Sequence, residues 1–191
     1  MDYGVYKSAR NASWQCLIDC GVSELPVKPT RIASHYGVEC IEFAPLLQNG
    51  EAGRIIRRTD GRIQIVLHPD QPAPRKRYTV LHELGHYLLG HLGTEPLARS
   101  HNDITQPEEY AAERFAADVL MPACVLWGLQ LHTAKEIAQV CGVSLTAAQR
   151  RSERMATLYQ RNMFLAHPLE RAVYCQFERF IAENIEQEEF L

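Results

Sequence analysis

The chain lacks an apolar run near the roughly 20 residues a membrane helix needs, and Met1-Asp2-Tyr3 does not open a signal peptide. It also lacks an excess of positive charge: Lys plus Arg number 20 against 23 acids, a formal net charge of -3. No global basic field therefore makes nucleic acid the first expected partner. No Cys-x-x-Cys pair is present among the six cysteines (Cys16, Cys20, Cys40, Cys124, Cys141, Cys175), so neither a zinc ribbon nor a redox dithiol is supported. Without a secretory signal, reduced thiols are expected, with Cys16 and Cys20 buried on one helix. There is no internal repeat and no low-complexity tract. What is there is globular: 191 residues, 46% hydrophobic and 23% charged, enough for one domain with a small appendage and a real core. The expectation is a cytoplasmic protein with no membrane partner.

Apolar spacing and punctuation set the elements. Val5, Trp14, Leu17 and Ile18 predict a helix over residues 3–20, stopped by Gly21. Thr30 is a candidate cap for a short helix to His35, and 38–43 alternates like a strand. Residues 55–59 and 62–68 flank Asp60-Gly61, a strong hairpin signal. In the second strand Ile63, Ile65 and Leu67 are expected to face the core, with Gln64, Val66 and His68 on the other side. Residues 75–92 turn helical, with Val80, Leu81, Leu84, Leu88 and Leu89 as the apolar stripe. After a polar loop to Gln106, Pro107 opens a helix running to about Leu120, and further helices are expected at 123–131, 133–141, 145–160 and 168–187.

Within the 75–92 helix stands His82-Glu83-Leu84-Gly85-His86. Helical residues four apart share a face, so both imidazoles can reach one ion, with Glu83 beside them as a candidate general base. Zinc, one ion per chain, suits nitrogen and oxygen ligands and keeps a position open for chemistry. A catalytic zinc needs a third protein ligand. Gly90 and His91 follow His86 by four and five residues, the wrong spacing for a histidine-supplying variant. The next helix carries Glu109 and Glu113 on one face, with Ala112 and Ala116 small enough for close approach. Glu109 is assigned to the metal. Glu113 is assigned to hold a ligand histidine from behind, or to be an alternative ligand. Tyr78, Tyr87, His91, His101 and Tyr110 lie near enough in sequence to be candidate oxyanion donors.

The string His82–His86, followed by Glu109-x-x-Ala112-x-x-Phe115-Ala116-Ala117-x-x-Leu120-Met121-Pro122, resembles the ImmA/IrrE family of zinc metallopeptidases. The likeness covers about residues 20–155, taking in Leu25-Pro26-Val27, the Asp60-Gly61 hairpin, Arg77-Tyr78-Thr79 and Val143-Ser144. It implies that His82, His86 and Glu109 bind zinc and that Glu83 is the catalytic base and acid. It also implies hydrolysis of a specific regulatory protein, a DNA-binding repressor or an antitoxin-like partner, in a stress or mobile-element response. At the position of Glu113 the family usually has Asn or Asp.

The rival reading rests on residues 133–155, whose helix–Gly turn–helix cadence is that of a DNA-reading unit. On that reading the protein is a DNA- or partner-binding regulator and its zinc site is structural or inactive. The expected organisation is an α+β metallopeptidase domain over 1–131, a small antiparallel sheet packed on a zinc-bearing helical core. A helical extension over 132–191 follows.

Overall fold

A computed structural model describes residues 3–48, 50–92 and 105–188. The fold is mixed α+β and mostly helical. The helices α1 (Tyr3–Asp19) and α2 (Pro29–His35) precede strand β1 (Val38–Glu42). A 3₁₀ turn at Ala44–Leu46 leads to β2 (Gly53–Arg57), β3 (Ile63–Leu67) and α3 (Ala73–Leu88). The remainder is helical: α4 (Gln106–Leu120), α5 (Ala123–Gly128), α6 (Ala134–Cys141), α7 (Leu145–Gln160) and α8 (Pro168–Glu188). No helix among the described residues is long and apolar enough to cross a membrane.

Two compact units share these elements: Met1–Ala12 with Lys28–Ala116, and Ser13–Val27 with Ala117–Leu191. The first holds the sheet, in the order β1-β3-β2. β2 and β3 form the expected antiparallel hairpin, Ile55 opposite Ile65. Its loop has three residues rather than two. The Arg58 N–H donates to the Arg62 carbonyl at 2.8 Å, and Gly61 sits at φ +85°, the left-handed position that lets the chain re-enter β3. β1 runs parallel to β3, Val38 opposite Ile63, so the sheet expected as antiparallel is mixed. The connection 43–52 carries the chain past β3, and the hairpin then places its second strand in the centre.

The side of β3 expected to face away from the core is covered as well: all five of its residues are buried in the central strand of the sheet. Gln64 is accommodated by hydrogen bonds instead of water, donating to Glu39 and accepting from Arg58. Three boundaries also move. α2 begins at Pro29, with Lys28 as its cap, because proline fits a first helical turn; Thr30 is inside the helix. α3 begins at Ala73 for the same reason, since Pro72 and Pro74 both suit its start. It ends at Leu88 rather than 92, because Gly90 takes φ +77° and closes a two-bond C-terminal cap.

Small residues hold α3 against α4. A Cβ on Gly85 would stand 3.0 Å from the Phe115 ring and 3.3 Å from the Ala112 Cα. Gly85→Val should therefore lower stability by about 1–3 kcal/mol, read as a shift in the urea midpoint at unchanged slope.

In the second unit, α8 packs Phe177 and Ile181 into the core, and Gln176 donates to the Leu17 and Val22 carbonyls. Asp118 accepts from Arg151 Nη1 at 2.7 Å, and the two side chains are only 5% and 3% exposed. Removing one partner strands a buried charge. Asp118→Ala should cost about 3–5 kcal/mol, whereas Asp118→Leu with Arg151→Met should cost far less. Equal losses in the two variants would contradict this account.

Candidate metal centre

α3 presents two adjacent rows of side chains, one turned to β2 and one to α4. Thr79 and Glu83 lie on the first row: a Cβ at Gly53 of β2 would meet Thr79 Cγ2, and Glu83 Oε2 accepts the Ile55 N–H at 2.9 Å. His82 and His86 lie on the second row, where α4 supplies Glu109. Their Nε2 atoms are 3.3 Å apart. Glu109 reaches His82 Nε2 at 3.4 Å and His86 Nε2 at 3.6 Å, through its two oxygens.

These separations test the fit to a metal. Zinc bonds of about 2.0–2.1 Å set tetrahedral ligands about 3.3–3.4 Å apart. Three sides of such a tetrahedron are present within a few tenths of an ångström. The donor types, two imidazoles and a carboxylate, are those zinc accepts while keeping a fourth position open. Among the described residues these three form the group that could hold a metal ion.

The electrostatics follow from burial. Desolvation pushes the Glu83 carboxyl up to about 7, although the His82 charge and the Ile55 N–H both favour its ionised form. For His82, burial opposes protonation, but the Glu109 carboxylate bonded to it, with the charges of Glu83 and Glu113, raises its pKa. Beside Glu83, β2 is an edge of the sheet. The bonds from Arg58 to Arg62 and from His68 to Ala52 put residues 52 and 58 in hydrogen-bonded pairs. By alternation, the amides of 53, 55 and 57 point away from β3, along the free edge.

The remaining expected residues fall into different places. Glu113 is exposed and outside the three-residue cluster, one turn beyond Glu109. The atom behind His86 is instead His91 Nδ1, 3.1 Å from His86 Nδ1. Sequence reading carried the helix through His91. The Gly90 cap turns the chain, the His91 N–H bonds the His86 carbonyl at 2.8 Å, and the ring folds under its neighbour. Glycine after the last apolar residue was the signal for that turn. Tyr78 stacks on His82, with ring centroids 5.9 Å apart. Tyr87 and Tyr110 are half-buried, and no described hydrogen bond or ring contact joins them to the cluster. His101 lies outside the described residues.

α6 and α7 are joined through Gly142 at φ +61° and capped by Ser144, the helix–turn–helix cadence expected from the sequence. Arg151, one of its basic residues, is buried on Asp118.

No curated protein matches the chain. Residues 29–153, well over half the chain and including α6 and the first half of α7, match the family model of the IrrE N-terminal-like domain, a peptidase family. The matched stretch contains the cluster and its neighbouring glutamate, and the chain therefore belongs to the ImmA/IrrE family of metallopeptidases.

Proposed function

We propose that this chain is a cytoplasmic zinc-dependent endopeptidase that cuts a specific regulatory protein, a transcriptional repressor or an antitoxin. The observation that carries the reading is the near-tetrahedral spacing of His82, His86 and Glu109, with the buried carboxylate of Glu83 on the adjoining helix row. When bound there, zinc would lower the pKa of water to about 7 and polarise a scissile carbonyl.

The chain's own groups do the rest. Glu83 removes a proton from the attacking water and later returns it to the leaving amine. With His91 Nδ1 accepting the proton of His86 Nδ1, the His86 ring would be fixed and its Nε2 lone pair would be available to hold the metal. Tyr78 limits the tilt of His82 by stacking. An extended substrate would add to the free edge of β2, taking up outward amides of 53, 55 and 57. To do so it must displace Glu83 from the Ile55 N–H, which frees the carboxylate as substrate arrives.

The helices beyond residue 131 are read as support for the peptidase, because one of their arginines is spent on Asp118 and the family match takes in α6 and the first half of α7. The direct test is co-expression with the product of the neighbouring gene. A fragment that appears with wild type and is absent with Glu83→Gln supports the reading; an intact partner in both refutes that substrate.

A further inference from the structure

The β2–β3 hairpin is rich in arginine, and its arginines are not equivalent. Arg54 binds Glu51 at 2.6 Å, and Arg58 and Arg62 both bind Asp60, at 3.5 and 2.8 Å. Arg57 has no hydrogen bond, ion pair or ring contact among the described residues, and its Nε is buried without a partner. Of its guanidinium nitrogens only Nε is buried without a partner, so the terminal nitrogens of this half-buried residue stay open to a bound group.

Its position is specific. Arg57 is two residues beyond Ile55 on the free edge, so their side chains share a face. That face is the one toward α3, because Gly53, of the same parity, abuts Thr79. Two strand residues advance about 6.6 Å, and four helix residues about 6 Å. Gly53 beside Thr79 and Ile55 beside Glu83 thus bring Arg57 level with the His86 turn. The local charge has the same sign. Between residues 51 and 77, seven Lys and Arg stand against three acids, in a chain whose total is 20 against 23. A segment approaching this edge meets a local excess of positive charge.

We infer that Arg57 is a specificity-determining residue that receives an Asp or Glu side chain of the substrate, within about two positions of the scissile bond, and that the enzyme cuts acidic segments. The inference rests on the peptidase reading and on strand addition at β2. Arginine's planar fork matches a carboxylate in two parallel hydrogen bonds, which fixes the register of the bound strand as well as adding affinity.

The test is a randomised decapeptide library, acetylated and amidated so that side chains are its only carboxylates, digested by the zinc-loaded enzyme and read by mass spectrometry. Wild type should enrich Asp or Glu at one position close to the cut. In the best sequence, acid→Lys at that position should lower kcat/KM by about tenfold to a hundredfold, the worth of one charged hydrogen-bonded pair. Arg57→Glu should prefer the Lys peptide, a gain that misfolding cannot imitate, and Arg57→Lys should keep the acidic preference in weaker form. Cleavage with no acidic enrichment, or with an enrichment unchanged in Arg57→Glu, overturns this assignment and leaves the peptidase reading standing. A library that wild type cuts no more than Glu83→Gln overturns both.

Discussion

Glu83→Gln should retain zinc at wild-type stoichiometry and lose turnover by about 10²–10⁴-fold, the contribution of a positioned general base. The substitution keeps the shape of the side chain and removes its basicity. It also keeps an oxygen for the Ile55 N–H, so the 2.9 Å bond that ties α3 to β2 survives. Because Glu83 is buried, its neutral replacement sheds a desolvation penalty, and the variant should unfold at or above the wild-type temperature. Metal content, thermal midpoint and hydrolysis of one cleaved peptide are the three measurements. A variant that still turns over at more than a tenth of the wild-type rate would remove Glu83 from its role. One that loses its zinc would show that the residue serves the metal instead.

The second large effect is expected at Glu109. Glu109→Ala removes one of three ligands, so zinc affinity should fall well beyond the 10–100-fold that loss of an outer hydrogen-bond partner costs. His91→Ala should show that smaller loss, since it leaves all three ligands and frees only the His86 ring. Glu113→Ala should change affinity least, because the exposed carboxylate acts on His82 through charge alone. Competition against a chelator of known affinity ranks the three. If Glu113→Ala proved the worst of them, the ligand assignment on α4 would have to move one turn along the helix.

The legible part of the molecule was local. His82 and His86 at helical spacing, a carboxylate pair on the next helix, small residues at Ala112 and Ala116 and a glycine turn in the hairpin can all be read without coordinates. Each depends on the period of a helix or the φ of one residue. The elements beyond α4 were equally readable, since caps such as Thr133 with Glu136 and Ser144 are written in adjacent residues. Thr30 misled because a hydroxyl at a helix start resembles a cap, while Pro29 beside it had already taken the first turn.

What the residues determined by themselves is the membership of the site: which side chains have the chemistry, and that two of them share a helical face. Tertiary structure alone decided their surroundings. β1 joined β3 in parallel, and a strand that alternates like a half-exposed one is buried on both faces. The cap at Gly90 put His91, and not Glu113, behind His86. An edge amide from a strand 28 residues away took the Glu83 carboxylate, and Arg57 came to stand beyond it with no partner among the described residues. The reason is physical: periodicity fixes which side chains point together along one element, but pairing between elements is settled by burial and hydrogen-bond closure over the whole fold, which no short window of residues contains.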